Sequence, residues 1–345
     1  MKVLHVLASN KYSGAENVAC QIIEMFKNDR DTEMAYCSPE GPISETLKDK
    51  KILYIPIKKL SLSEIKKVIK EYNPDVIHCH DLKASILCSF VKDIKIISHI
   101  HGNKSNMSRI SLKSLMYKVA SRNIKNILWV SNSCYQDYKF KNSVRTKSIV
   151  LPNIISIQNL EKNVKADPVN YDNFDIVFLG RLVFEKNPLR LIEIAKLIKE
   201  EINDFKFAIV GDGVLRKEVE TKIKEYSLQK SIELFGFKNN PYKLLSSGKV
   251  MLMTSVMEGT PMCALEALSL GLPVISTKTD GMVDLIHNGE NGYLYDTDIQ
   301  AKEIICSLLK NNENLLLLKK QSIKFAEEYN DIHKYKEVLE RIYLS

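Results

Sequence analysis

Residues 257–277, MEGTPMCALEALSLGLPVIST, decide how this chain folds. The stretch opens on the turn-forming run Glu258-Gly259-Thr260-Pro261, continues as an apolar segment with helical spacing, breaks at Gly271 and ends in the β-branched run from Val274. Thr260 can cap a helix and Pro261 can start it. With the strand pattern Val250–Thr254 before it, the stretch is a strand–helix–strand unit of a parallel sheet. Glu258 then falls in the strand-to-helix loop and Glu266 on the second helical turn. Ligands of open α/β sheets gather beyond the carboxyl ends of the strands. A carboxylate in such a loop can accept hydrogen bonds from sugar hydroxyls, and the amides from Gly259 to Met262 remain for a phosphate oxygen. The deeper Glu266 suits a ribose diol. The competing reading is an acidic helix start that only complements the helix dipole.

Working outward, the same alternation runs through the C-terminal half. Strands are predicted at Ile176–Leu179, Lys206–Val210 and Ile232–Phe235, with helices at Pro188–Glu200, Leu215–Tyr226 and Tyr242–Ser246. The N-terminal half repeats it from Lys2–Leu7 through Ile127–Val130. Between them lies SIQNLEKNVKADPVNYDNFD, residues 156–175, polar and without clear apolar period, which predicts a linker. The expectation is two doubly wound Rossmann-like α/β domains, 1–160 and 170–328.

The chain has 345 residues, length for two domains; 45% apolar and 27% charged residues exclude disordered and fibrous classes. A net charge of +8 favours an anionic partner. The seven cysteines are scattered, with no Cys-x-x-Cys pair, so reduced thiols and a cytoplasmic location are expected. No stretch reaches the ~18 apolar residues of a membrane span, so any membrane contact is predicted to be peripheral, on the inner face.

Other strand ends carry further signals. GRLVFEKNP places Arg181 and Lys186 around a strand end, where an Arg fork and a Lys point charge can neutralise a diphosphate without a metal. FAIVGDG places Gly211 and Gly213 where backbone could approach a ligand, or simply turn tightly. His78 and His80 share one strand face and form a His-x-His pair, but no third metal ligand is evident, which favours hydrogen bonding over metal. His99 and His101 repeat the pattern, and only His101 precedes a glycine, where the chain can open outward. His5 reads as a satisfied core histidine.

No acidic residue falls between Asp93 and Asp137, while Lys95, Lys104, Arg109, Lys113, Lys118, Arg122 and Lys125 accumulate among Ile110, Leu112, Leu115, Met116 and Val119. That pattern fits a basic amphipathic helix on an anionic membrane, or an ordinary helix with its apolar side in the core. Neither a helix-turn-helix nor a basic–aromatic RNA motif accompanies it, so no nucleic acid is expected.

Taken together, Glu258 and Glu266 with seven residues between them, Arg181, Lys186, SGAEN, DVIHCHD, HIHG, LPN, VGDG, ELFGF, Asp280-Gly281 and NGENGYLYD resemble the Glu-x7-Glu glycosyltransferases of the GT-B fold, in particular retaining family 4. The resemblance implies two Rossmann-like domains facing across a cleft, an N-domain for the acceptor and a C-domain for the donor. It also implies a last helix within 329–345 that returns to the N-domain. It implies Arg181 and Lys186 on the diphosphate, Glu266 on the ribose, Glu258 with Gly259, Thr260 and Pro261 beside the donor sugar, and Gly180 and Gly211 in the donor loops. Gly14 resembles the glycine of the first N-domain loop, and His101 the histidine near the donor sugar. Ser13 and Asp284 stand where a second glycine and a glutamate are common. The implied activity moves a hexose or N-acetylhexosamine from a nucleotide-diphosphate sugar, UDP foremost, to a glycan or lipid-linked acceptor in cell-surface polysaccharide synthesis, with no cofactor or metal. The rival readings are a nucleotide-sugar 2-epimerase on the same fold and a two-lobed small-molecule binding protein.

Overall fold

The computed structural model describes residues 1–102 and 106–345, and of Asp280 only the backbone; Lys104 lies outside the described residues. The chain divides into two compact units, Met1–Ile154 with Ile332–Ser345, and Ile155–Asp331.

The first unit is built on a seven-stranded sheet: β1 (Lys2–Val6), β2 (Glu33–Pro39), β3 (Leu53–Ile57), β4 (Val76–Cys79), β5 (Lys95–Ile100), β6 (Asn126–Trp129) and β7 (Ser148–Val150). The order is β3-β2-β1-β4-β5-β6-β7, and every pairing is parallel. The second unit has β8 (Phe174–Leu179), β9 (Phe207–Val210), β10 (Ile232–Gly236), β11 (Gly248–Met253), β12 (Val274–Thr277) and β13 (Gly292–Tyr295). Its order is β10-β9-β8-β11-β12-β13, again all parallel. Helices cover both faces of such sheets, which is why inner strands such as β1, β2, β4 and β9 are buried along most of their length rather than at alternate residues. The cores follow, one around Leu4, Ile77 and Trp129, the other around Ile176, Ile209 and Leu252.

Strand order reverses between β1 and β4 in the first sheet and between β8 and β11 in the second. These are the switch points where loops diverge and leave room for ligands. The loops after β8 and β11 carry Arg181 and Glu258, and the ends of β1 and β4 carry His5 and His80.

Two expectations change. The polar stretch after Ser156 is not an irregular linker. Ser156 accepts a hydrogen bond from the Asn159 amide at 3.3 Å and caps a helix, Ile157–Ala166, that belongs to the second unit. The stretch hid its period because only Leu160 is buried. The first unit accordingly ends at Ile154 rather than near residue 160, and the chain rejoins it at Ile332. The helix Ile332–Leu344 packs within the first unit through Tyr343, whose hydroxyl lies 2.8 Å from His78 Nδ1, and through a 2.6 Å ion pair between Lys336 and Asp29.

Candidate active site

In the second unit, β8 ends at Leu179 and the chain passes through exposed Arg181 into a short 3₁₀ turn, Phe184–Lys186. Asn187, in the left-handed region at φ 46°, then redirects it into the helix Pro188–Lys199. Two contacts tie this turn to the end of β11. Thr254 donates its hydroxyl toward the carbonyls of Lys186 and Asn187, at 3.0 and 2.9 Å, and the Val256 amide bonds the Glu185 carbonyl at 2.9 Å. The Lys186 ammonium is thereby set against Glu258 in an ion pair, with both side chains largely buried. Ser255 donates to the same carboxylate oxygen at 2.6 Å. Burial pulls the Lys186 ammonium down, but the adjacent Glu258 carboxylate outweighs it and holds its pKa above the ordinary lysine value; Arg181 contributes a smaller opposing push.

The second carboxylate is deeper. Glu266 lies on the second turn of the helix Met262–Ser269, only 7% exposed. Burial lifts its pKa to about 7, and a 3.2 Å hydrogen bond from the Tyr242 hydroxyl offsets part of the rise. A carboxyl poised near neutrality and sharing a phenol is a hydrogen-bonding post suited to a neutral diol.

The loop between the two carboxylates departs from the expected geometry. Thr260 does not cap the helix. Pro261, extended at φ −73° and ψ 120°, is the half-in residue, its carbonyl accepting from Ala264 and Leu265, and the helix starts at Met262. No side chain caps this end, so an external oxygen can take that role. The loop is pressed against the start of the helix Asp280–Val283. The Gly281 amide donates to the Glu258 carbonyl at 3.3 Å, and a Cβ on Gly281 would run into the Gly259 carbonyl. Gly211 also packs closely against its neighbours. It has φ 133°, a Cβ there would strike the Gly180 carbonyl, and its amide already donates to the Gly236 carbonyl at 2.8 Å. The Gly180 amide is likewise spent on the Val210 carbonyl at 3.0 Å. Both glycines let neighbouring loops approach each other closely.

In the first unit, Gly14 opens the helix Gly14–Met25 after Ser13, which donates its hydroxyl to Glu16 instead of capping. A Cβ on Gly14 would meet nothing within 4 Å, so the space before this helix is open. His101 follows β5 and is half-buried, with Nε2 3.0 Å from His80 Nδ1. It does not stand alone. His5 pairs in register with His78, and His78 with Ile97, which places His5, His78, His80, His99 and His101 on one face of the sheet. The lack of a third ligand beside His78 and His80 is therefore overturned: ring nitrogens of His5, His78 and His80, and of His80, His99 and His101, lie within 4.8 Å of one another. His5 is a core histidine only half satisfied, its Nδ1 2.8 Å from His80 Nε2 and its Nε2 without a partner among the described residues.

Comparison with known proteins now adds to this geometry. The family profile described as Glycosyltransferase Family 4 matches residues 12–159, and that described as Glycosyl transferases group 1 matches residues 160–325. The chain belongs to the family-4-like GT-B glycosyltransferases. Among curated relatives, an Escherichia coli UDP-Gal:alpha-D-GlcNAc-diphosphoundecaprenol alpha-1,3-galactosyltransferase is 26% identical, over 86% of this chain and 84% of its own. The Staphylococcus aureus capsular polysaccharide biosynthesis glycosyltransferase CapH is 26% identical over 100% and 99%. Among solved structures, Anabaena HepE in complex with UDP superposes with a TM-score of 0.84 at 18% identity, covering 99% of each chain, and establishes the fold.

For a glycosyltransferase of this fold, the second unit brings together Lys186, Glu258 and the uncapped helix start, and sets Glu266 nearby on the same helix. Gly14 and His101 belong to the first unit. Sequence reasoning missed Ser255 and Tyr242, which hold the two carboxylates. Ser255 sits three residues before Glu258 and could have been found from the strand end. Tyr242 is 24 residues from Glu266, and no local pattern connects them.

Proposed function

We propose that the chain is a retaining transferase that moves a hexose or N-acetylhexosamine from a UDP-sugar to a lipid-linked or glycan acceptor in cell-surface polysaccharide synthesis. The observation that carries this reading is the pairing of Lys186 with Glu258 beside an uncapped helix start, with Glu266 one helical turn further in. When the donor binds, the Lys186 ammonium turns from Glu258 to the diphosphate, joined by Arg181 and the helix-start amides. Glu258, released but still held by Ser255, accepts from sugar hydroxyls. Glu266 and Tyr242 receive the ribose diol. Charge that builds on the departing diphosphate is met by fixed cations and dipoles, so the donor site needs no divalent metal. The leaving phosphate helps deprotonate the acceptor hydroxyl on the same face, and His101 acts near the reacting carbon. The diphosphoundecaprenol-linked acceptor named for the E. coli relative supports the acceptor class, and the name of the S. aureus relative supports the polysaccharide setting; the UDP complex of the HepE structure supports the nucleotide.

We further propose that the first unit touches an anionic membrane from the cytoplasmic side. The helix Leu112–Ala120 buries Ser114, Tyr117 and Ala120, while Leu112 and Val119 are 75% and 59% exposed and Ile110 just before the helix is 66% exposed. Arg109, Lys113, Arg122 and Lys125 flank them, all exposed. Apolar groups that would fill the core of an ordinary helix here point outward among cations, the pattern of an interfacial helix. No described helix is long and apolar enough to cross a membrane.

The test is incubation of the protein with a panel of nucleotide sugars, with and without a polyisoprenyl-diphosphate-linked sugar, followed by NMR of the product anomer. Transfer with the donor's anomeric configuration kept is the expected result. Isomerised free nucleotide sugar in the absence of acceptor would instead make the protein an epimerase.

A further inference from the structure

Of the five histidines on one face of one sheet, the proposed transfer reaction uses His101 and leaves four unexplained. His5, His78, His80 and His99 are essentially inaccessible, and His101 is half-buried at the end of the row. The rings stack along the strands, His80 and His101 with centroids 5.3 Å apart and His99 and His101 4.1 Å apart. A buried imidazole normally satisfies both nitrogens, because a buried orphan costs about 1–3 kcal/mol. Here both ring nitrogens of His99 lack a hydrogen-bond partner among the described residues.

We propose that His80, His99 and His101 form a three-imidazole binding site for a borderline divalent cation of the zinc class. One ring nitrogen from each lies within 4.8 Å of the others, and His80 Nδ1 and His101 Nε2 are already 3.0 Å apart. Ligands at the usual ~2.0–2.1 Å zinc–nitrogen distance require nitrogen pairs about 3.3 Å apart, which the His80–His101 pair already approaches and which the His99 ring would reach by a movement of up to about 1.5 Å. One outer partner is in place: His80 turns its other nitrogen to His5 at 2.8 Å. Such partners fix tautomer and ring orientation in histidine metal sites. His80 and His101 share one proton at that contact; when a cation takes both nitrogens, the proton on His80 Nδ1 moves to His80 Nε2, which then donates to His5 Nδ1, while His5 carries its own proton on Nε2. Burial keeps the imidazoles in the neutral, ligating form: it lowers His101 to about 3 and His80 and His99 well below the ordinary value. His101 is the partly exposed member of the three, which gives a cation an entry path. A donor set of imidazoles with no carboxylate selects zinc, cobalt, nickel or copper over magnesium and calcium. Binding does not depend on the proposed transfer, but an occupied site would hold His101 and slow any reaction that uses it.

The test uses the full chain without an affinity tag, stripped by chelator and dialysed against Co²⁺ and then Zn²⁺. One Co²⁺ per chain with the intense visible bands of four-coordinate nitrogen ligation, displaced by Zn²⁺ and not by Mg²⁺, is expected. His99→Phe, which removes two unpartnered nitrogens and keeps the volume, should weaken Co²⁺ binding at least tenfold. His287→Ala, on the exposed surface of the second unit, should leave it unchanged. Zinc at micromolar concentration should also raise the melting temperature of the wild-type chain, a readout that needs no variant. Weak six-coordinate bands, a His99→Phe chain that binds as the wild type does, or a melting temperature unmoved by zinc would each overturn the proposal.

Discussion

At the residue scale, the two carboxylates of Glu-x7-Glu differ in environment and should differ in pH behaviour. Glu266 holds its proton up to about pH 7 in the folded chain, whereas an unfolded glutamate releases it near 4.5. Between those values the folded state binds more protons, so stability falls as pH rises from 4.5 to about 7 and is flat beyond. Glu266→Gln should remove that loss, making the ligand-free protein more stable than wild type at pH 8 by on the order of 3 kcal/mol and little changed at pH 4. Urea melts at the two pH values measure this. UDP affinity should strengthen from pH 6 to 8 more steeply in the wild type than in the variant, since the ribose hydroxyls favour the charged acceptor and the variant keeps only the pH dependence of the terminal phosphate, which ionises at about pH 6. Calorimetry decides it; wild-type affinity no steeper with pH than the variant's would remove Glu266 from the ribose. Arg181→Ala or Lys186→Ala should slow transfer on the order of a hundredfold, about 2.7 kcal/mol. In Lys186→Ala the uncompensated Glu258 should also cost stability, which a melt would register separately. His101→Ala should lower turnover far more than donor affinity, as expected of a group acting near the reacting carbon. Equal losses in both would make His101 structural.

At the element scale, the helix Leu112–Ala120 and its flanks carry the membrane proposal. Reversing Arg109, Lys113, Arg122 and Lys125 to glutamate should abolish sedimentation with phosphatidylglycerol vesicles at low salt, each cation contributing ~1 kcal/mol. Wild-type binding that persists in high salt would point to another contact. The close approach of Gly281 to the Glu258–Gly259 loop belongs to this scale too. Gly281→Ala must push that loop away, so it should weaken UDP-sugar binding while the melting temperature falls only slightly. Local reading recovered strands and helices best where apolar period and turn residues coincide, as in Met257–Thr277. It failed at Ile157–Ala166, a helix with one buried residue whose partners are other helices of the second unit. It also left the orientation of Leu112–Ala120 open, because sequence period shows that a helix has two faces but not which one the sheet covers.

At the scale of the whole molecule, the last helix returns to the first unit, so removing residues 332–345 should lower the unfolding temperature of that unit and leave UDP binding by the second intact. Limited proteolysis with UDP present would report both. Transfer should also proceed equally with magnesium or manganese added or omitted and in excess EDTA; activity that vanishes on chelation and returns with magnesium would give the diphosphate-neutralising role to a metal. The sequence alone determined the two doubly wound α/β halves, the loops that bear Arg181, Lys186 and Glu258, and the helix that bears Glu266, because strand period, helix period and turn chemistry are local. Only the tertiary structure decided that Lys186 meets Glu258, that Tyr242 meets Glu266, that Gly211 serves its neighbouring loop, and that five histidines from three strands share one face. Those facts depend on strand order and register, which are set by how whole layers pack and which no short window of sequence contains.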